Sequence, residues 1–212
     1  MKFVDHILST KRSERAEFFI NLFEYCNLSC AFCWQDHDDK TGFDTIREKV
    51  RTVNAKVSNL AKVNETIDLN IMGGELFFDE IPDKLFEDYY YFAVEINNHA
   101  LSLGVAVNFN WVTNLVFHKT SRVFELLKSL RSEGLYTYLT SSYDPKGRFN
   151  TKTKKIFFEN LNTFKNEIKI ISVVLTKPNV NFFLTSDISD FRFLYSNFKI
   201  YFDFYSPEKN HK

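Results

Sequence analysis

The chain has little cysteine, glycine or proline, and each shortage narrows the possible structures. Only three of the 212 residues are cysteine, an odd number that does not make a disulfide framework. The six glycines and four prolines fall almost entirely at predicted element boundaries, and no low-complexity segment or interdomain linker is visible. The fold must therefore rest on a hydrophobic core, for which 44% hydrophobic and 17% aromatic residues are ample.

The chain also lacks a charge surplus and a long apolar run. Lys plus Arg and Asp plus Glu both number 27, so no overall field attracts nucleic acid or an anionic membrane. No segment approaches the roughly 20 apolar residues that span a bilayer, and the first residues do not form a signal peptide. We therefore expect a cytoplasmic protein with no membrane and no nucleic-acid partner, and a reducing compartment suits its cysteines.

Hydrophobic periodicity predicts six strands that alternate with five helices. This alternation predicts an α/β fold, a partial (β/α)6 TIM-like barrel with a curved parallel sheet, helices outside and no C-terminal auxiliary domain. We expect one domain over residues 1–212, with an N-terminal extension at 1–15 and the partial barrel at 16–207. The strands are predicted at 17–25, 66–72, 105–112, 136–142, 168–176 and 199–205, and the helices at 43–60, 82–100, 121–131, 151–165 and 187–197.

The predicted strands carry apolar residues on one face and polar residues on the other. The polar face is expected to point inward, where a closed barrel would instead have branched aliphatic side chains. Either the interior holds a polar ligand, or its amides bond one another. Under the first hypothesis, a ligand pocket is lined by Asn108, Asn110, Asp203 and Tyr205.

The three cysteines lie within eight residues, at Cys26, Cys30 and Cys33, with the spacing C-x3-C-x2-C. Three interpretations are open. With His37 they could form a structural zinc site of three thiolates and one imidazole. They could be buried cysteines without a metal. They could also hold a 4Fe-4S cluster through three thiolates, which would leave one iron open for a ligand.

This spacing resembles the signature of the radical S-adenosylmethionine enzymes, in which the cysteines follow the first strand of a partial barrel. An aromatic residue precedes the third cysteine of that family, and Phe32 occupies this place. Gly73-Gly74-Glu75, after the second strand, is similar to the family's GGE motif, which contacts the amino group of S-adenosylmethionine. Glycines allow close backbone approach to a ligand, and a carboxylate suits an ammonium group.

Weaker similarities follow later strands and imply further contacts with the cofactor. The segment after strand three resembles the family's TN pair, although Leu115 stands where glycine is frequent. The segment after strand four resembles an S-x-D segment, in which the choice between two serines stays open, and the fifth strand has a polar end expected to face the ribose. The cofactor-binding residues implied in these segments are Thr113, Asn114, Ser141, Ser142, Asp144, Arg148 and Thr176, with Asp203 and Tyr205 on the last strand.

The resemblance implies a 4Fe-4S cluster on the three cysteines and S-adenosylmethionine on the open iron. Reductive cleavage would then give a 5'-deoxyadenosyl radical, which abstracts hydrogen from a substrate. A peptide or protein side chain is the expected substrate, with a nucleotide, or a non-catalytic protein holding zinc or no metal, as alternatives. The expected partners are a flavodoxin- or ferredoxin-type electron donor and a bulky substrate or partner protein that closes the open side, or else a second copy.

Overall fold

The structure, a computed structural model, describes residues 13–204 and shows one six-stranded parallel sheet. The strands lie in chain order, so each pairs with its sequence neighbour. Helices between successive strands cover the outside, and the sheet curls into a half-barrel. The predicted partial TIM-like barrel is confirmed. In such a fold the carboxyl ends of all strands meet at one edge, where loops can converge.

The strands and helices have the following bounds. The strands are β1 (Ser13–Asn21), β2 (Asn64–Met72), β3 (Ala106–Val112), β4 (Tyr136–Ser142), β5 (Ile168–Leu175) and β6 (Ile200–Phe204). The helices are α1 (Ile46–Leu60), preceded by a 3-10 turn at Phe43–Thr45, then α2 (Asp83–Ser102), α3 (Thr120–Ser132), α4 (Thr151–Thr163), α5 (Lys177–Thr185) and α6 (Ser189–Asn197).

The sequence prediction missed helix α5 because Pro178 was interpreted as the end of a strand. Proline also fits the first turn of a helix, where its missing N–H would have no partner. Here Pro178 lies in the first turn of α5, and the Thr176 hydroxyl caps the helix by accepting a hydrogen bond from the Asn179 N–H at 3.3 Å. The first strand was also misplaced: β1 ends at Asn21, so four residues separate it from Cys26.

The apolar strand faces point toward the helices, as predicted. Ile67, Leu69 and Ile71 on β2 are fully buried, as are Phe109 and Trp111 on β3. The positive φ angles of Gly104 (+70°) and Gly134 (+81°) lie in the turns that follow α2 and α3. The core thus lies between the sheet and its helices, which leaves the concave face of the sheet free for polar residues.

Polar side chains on the concave face bond one another across strands β1 to β3. Asp68 is paired with Arg15 and accepts a hydrogen bond from the Asn108 amide at 2.8 Å. In the next layer Asn70 donates to Glu17 at 2.7 Å and accepts from Asn110 at 2.5 Å. The alternative of mutually bonded amides therefore describes this part of the interior. Asn108 and Asn110 belong to this ladder, and the expectation that they line the ligand pocket is corrected.

Some predictions fall outside the described residues. The N-terminal extension lies outside them up to residue 12, while β1 begins at Ser13 and so includes the extension's last residues. The predicted cofactor contact of Tyr205 also lies outside them. Within residues 13–204, no helix is both long and apolar enough to cross a bilayer.

Candidate functional site

A cavity of about 360 Å³ lies at the carboxyl edge of the sheet, between the loop that carries the cysteines and the ends of β2, β3, β4 and β6. Eleven of the residues predicted for the site line it, and these are Cys26, Cys30, Phe32, Cys33, Gly73, Gly74, Thr113, Asn114, Ser142, Arg148 and Asp203. The convergence follows from the parallel sheet, which directs these loops to one edge.

Backbone hydrogen bonds hold the cysteine loop over this edge. The Cys26 N–H donates to the His37 carbonyl at 2.9 Å, which closes the loop at its base. At the far side, the Ala31 N–H donates to the Gly147 carbonyl at 3.0 Å, so the loop is attached to the segment after β4. Gly147 has a φ of +92°, a conformation that glycine adopts without strain. This attachment brings the cysteines close to Arg148.

Gly73 and Gly74 were expected to allow close approach of a ligand, but the structure shows that Gly74 allows two backbones to cross. A Cβ atom on Gly74 would lie 2.1 Å from the Tyr25 carbonyl oxygen and 2.2 Å from that of Glu24. The Gly74 N–H donates to the Phe23 carbonyl at 2.9 Å. The chain leaving β2 therefore lies directly against the chain leaving β1, and this contact forms one wall of the cavity.

Glu75 does not face the cavity, which corrects the expectation that its carboxylate binds a ligand's ammonium group. Its side chain is fully buried, with an exposure of 0%. One oxygen accepts from the Thr113 hydroxyl at 2.7 Å and from the Phe77 N–H at 3.0 Å, and the other accepts from the Asn114 N–H at 2.5 Å. The carboxylate thus holds the β3 end against the β2 end, and Glu75 is a positioning residue.

The chain after β3 turns sharply at Leu115, the position where radical S-adenosylmethionine enzymes frequently have glycine. Leu115 has a φ of +59°, the left-handed conformation that favours glycine, and it is fully buried. The Asn160 amide holds the turn by donating to the carbonyls of Leu115 at 3.0 Å and Phe117 at 2.6 Å. The turn directs Asn114 into the cavity wall, where its amide donates to the Asn27 side chain at 2.9 Å.

Among the described residues, Arg148 is the only arginine or lysine that lines the cavity, and its side chain is 11% exposed. Its Nε lies 2.9 Å from an oxygen of the fully buried Asp144, although neither atom has an aligned hydrogen bond, so the contact is an attraction of charges. Burial raises the pKa of Asp144, and the Arg148 charge opposes that rise. The guanidinium centre also lies 5.5 Å from the centroid of the Phe32 ring.

Three further predicted residues lie behind the cavity wall and not in it. Asp144 is enclosed, and it accepts hydrogen bonds from the Val174 N–H and from the Asn179 amide. Thr176 caps helix α5. Ser141 is buried on the opposite face of β4, whereas Ser142 lines the cavity, which decides the choice between the two serines. Alternation along β4 is the reason, since neighbouring residues on a strand point to opposite faces.

The sequence interpretation missed several residues of the cavity wall. His37 enters the sequence analysis only as a possible zinc ligand, but it lines the cavity because the loop returns to Cys26. Trp34 lines it as well and is 69% exposed. These two residues reach the cavity wall only because the loop closes on itself, and the sequence did not predict this closure. The other missed lining residues are Leu28, Gln35, Met72 and Val112.

A larger groove, of about 760 Å³, lies on the outside between helices α2 and α3. Its two arginines are already paired, Arg47 with Asp88 and Arg122 with Asp83. The groove is lined by helix residues and lies away from the carboxyl edge of the sheet. We therefore assign the candidate site to the smaller cavity, where polar loop residues from several strands meet.

The buried carboxyl group of Glu75 makes stability depend on pH. Burial raises its pKa from 4.5 to about 7. The folded state therefore holds this proton more tightly than the unfolded state. The resulting contribution to the free energy of unfolding is fully present below the unfolded-state pKa and is lost as the pH rises through 7. Between about pH 5 and about pH 7 the loss amounts to about 2 kcal/mol.

Urea unfolding at these two pH values, with wild type and Glu75→Gln, measures this contribution. We expect the wild type to lose more stability than Glu75→Gln by about 2 kcal/mol as the pH rises. Glu65→Gln, which removes an exposed carboxylate from β2, should keep the wild-type pH dependence. Equal pH dependence in wild type and Glu75→Gln would contradict the burial assigned to this carboxyl group.

The cysteine side chains do not form a metal site in the structure. Burial raises the pKa of Cys26 to about 12 and also raises that of Cys30, where the Arg148 charge opposes the rise. The Cys26 sulfur lies 3.5 Å from the Leu28 backbone nitrogen and 3.8 Å from the Asn114 amide nitrogen. Within residues 13–204, no group of three or more His, Cys, Asp or Glu side chains is arranged to hold a metal ion.

Comparisons with known proteins give similar solved structures but no family for this chain. No protein-family model and no curated protein matches the chain. One similar solved structure is an L-ribulose 3-epimerase, with 14% identity and a TM-score of 0.44 over 90% of this chain and 62% of that one. Another is a sugar phosphate isomerase/epimerase from Parabacteroides distasonis, with 9% identity and a TM-score of 0.41 over 95% of this chain and 66% of that one. The chain thus spans less than two thirds of the length of either protein.

These findings correct the assignment to the radical S-adenosylmethionine enzymes. The C-x3-C-x2-C spacing is present in the sequence, but no metal-holding group forms among the described residues, and no family model matches. The predictions of a 4Fe-4S cluster, of S-adenosylmethionine and of a radical reaction are therefore wrong. Spacing along a loop does not by itself determine where the side chains point.

Proposed function

We propose that the chain binds a small organic anion, one that carries a carboxylate or phosphate group, in the cavity at the carboxyl edge of its sheet. The observation that carries this proposal is the position of Arg148. Within the described residues its one aligned hydrogen bond is a long one, from Nη1 to the Ser142 carbonyl at 3.4 Å. A guanidinium has five N–H donors, and although Nε lies buried beside Asp144, the remaining Nη donors are available to anion oxygens.

The surroundings of Arg148 support binding of a ligand with polar groups. Ser142 lines the same cavity and supplies a hydroxyl group for a hydrogen bond, whereas the Thr113 hydroxyl and the Asn114 amide are bonded to Glu75 and Asn27 and shape the wall. Phe32 and Trp34 add aromatic surface against which an apolar part of a ligand can pack. Because Asp144 lies behind Arg148 and not in the cavity, its charge fixes the arginine without occupying the ligand's place.

Titration calorimetry with a panel of small phosphorylated sugars and small carboxylates tests this proposal. The best ligand should bind Arg148→Gln about tenfold more weakly, or weaker still, because a charge-assisted hydrogen bond is lost. Since this change leaves Asp144 buried without its counter-charge, the double variant Asp144→Asn with Arg148→Gln should show the same loss of binding in a chain without that buried charge.

Arg131→Gln serves as the matched control because Arg131 pairs with Glu167, away from the cavity. It should bind the ligand as the wild type does. Unchanged affinity in the Arg148 variants, or no binding by any member of the panel, would show that the cavity is not an anion site.

A further inference from the structure

Strand β6 forms one edge of the sheet, and nothing in its sequence protects that edge. Within the described residues β6 pairs only with β5. Natural edge strands commonly carry lysine, proline or a bulge that prevents pairing with another chain. The segment Ile200–Phe204 has neither proline nor lysine, and Asp203 is its one charged residue. Among residues 13–204, no strand occupies the outer backbone groups of β6, so they can pair with a strand of another molecule.

Exposed apolar side chains collect around this edge. Six of the thirteen large hydrophobic residues exposed in the described chain lie between residues 180 and 202. Phe191 links helix α6 to the strand, because its ring lies 6.0 Å from that of Phe202. Exposed apolar residues concentrated in one part of a chain are typical of an interaction site. We call this surface the β6 patch, and its members are Val180, Leu184, Phe193, Tyr195, Tyr201 and Phe202.

We infer that the β6 patch joins two copies of this chain, with the two β6 strands paired antiparallel about Tyr201. A twofold interface places each residue opposite its counterpart in the reversed strand. With Tyr201 on the axis, Lys199 of each copy lies opposite Asp203 of the other copy, so the interface contains two such pairs. Both side chains are exposed, so the pairing joins two opposite charges at each end of the interface without burying an unpaired one.

The backbone directions agree with this register. The Lys199 carbonyl faces β5, where it accepts from the Ile171 N–H at 2.9 Å. Alternate residues of a parallel strand turn their N–H and C=O groups to the same side, so those of Ile200 and Phe202 point outward. About Tyr201, Ile200 of one copy lies opposite Phe202 of the other. These two residues can form both hydrogen bonds of an antiparallel pair. The twofold axis generates a second, identical pair of residues with its own two hydrogen bonds.

The interface would add a residue to the candidate site. Asp203 lines the cavity at the carboxyl edge. In the paired strands, Lys199 of the second copy reaches this carboxylate and brings a positive charge to the mouth of the cavity. The second copy also extends the sheet from six strands to twelve across the open side of the half-barrel. This inference goes beyond anion binding at Arg148 and does not depend on it.

Charge exchange at the two ends of the interface tests the pairing by sedimentation velocity at about 50 µM. The wild type should sediment as a dimer of the 25.1 kDa chain. Lys199→Asp and Asp203→Lys should each sediment as monomers, because like charges then face each other at both ends. The double exchange Lys199→Asp with Asp203→Lys restores opposite charges and should sediment as a dimer again. Lys56→Glu, an exposed change on α1, is the control and should remain a dimer.

A cross-link gives a second readout. Tyr201→Cys places two thiols opposite each other at the twofold axis, at a non-hydrogen-bonded position where side chains approach most closely. Diamide should convert this variant, but not the wild type, to a covalent dimer. A monomeric wild type, single exchanges that remain dimeric, or no added cross-link in Tyr201→Cys would each overturn the inference. Thermal unfolding followed by circular dichroism confirms that each variant is folded.

Discussion

Replacing Glu75 with alanine is expected to lower the free energy of unfolding by about 3 to 5 kcal/mol, because it leaves buried donors without a partner. The Thr113 hydroxyl and the N–H groups of Phe77 and Asn114 all donate to this one carboxylate. These groups are shielded from water, so each donor loses its partner without gaining a water molecule. Urea unfolding at about pH 7 measures the change.

Glu80→Ala is the matched control for this experiment. Glu80 is exposed and accepts a hydrogen bond from the Tyr25 hydroxyl at 2.6 Å. Its loss should cost no more than about 1 kcal/mol, because water replaces the missing partner. If Glu75→Ala were no more destabilising than Glu80→Ala, the role of Glu75 in joining the ends of β2 and β3 would be wrong.

Replacing Gly74 with alanine is expected to destabilise the fold by about 3 kcal/mol or more, because the added methyl group meets backbone atoms. The nearest are the carbonyl oxygens of Tyr25 at 2.1 Å and Glu24 at 2.2 Å, and backbone atoms cannot rotate away as a flexible side chain can. The crossing of the chains that leave β1 and β2 would have to open. Since this crossing forms a wall of the cavity, ligand affinity should fall together with stability.

Gly134→Ala separates this steric effect from the conformational effect of losing a glycine. A Cβ on Gly134 would meet no atom within 4 Å, although its φ of +81° is unfavourable for alanine. A cost of about 1 kcal/mol and unchanged binding are expected for this control. Thermal and urea unfolding give the two stabilities. Equal losses of stability in the two variants would mean that the close backbone approach at Gly74 does not cause the destabilisation.

The secondary structure was largely predictable because its signals are local. Alternating apolar residues in the strands, together with glycines after the helices, located six strands and five of the six helices. Pro178 misled the prediction because proline both ends a strand and begins a helix, and the choice depends on the cap that Thr176 supplies. The inward polar face was also predicted, with a ligand pocket and mutual hydrogen bonding as its two alternatives, and only the structure shows that mutual bonding applies across β1, β2 and β3.

The candidate site was predictable only as a set of loops that meet at one edge. A parallel sheet sends these loops to its carboxyl ends, so the sequence could place Cys26, Gly74, Asn114 and Arg148 in one neighbourhood. It could not assign their roles, since the same carboxylate can face a ligand or a backbone amide. The contact of Cys26 with its neighbours likewise depends on the loop conformation and not on the spacing of the cysteines.

The sequence by itself determined the alternation of strands and helices, the direction of the apolar faces and the edge at which the loops meet. These depend on periodicities of two and 3.6 residues, which are visible in any short segment. Only the tertiary structure decided that Glu75 bonds Thr113 and Asn114, nearly 40 residues away, and that Arg148 stands between Asp144 and the cavity. Such choices depend on distances between loops that lie far apart in the chain, and no local pattern encodes them.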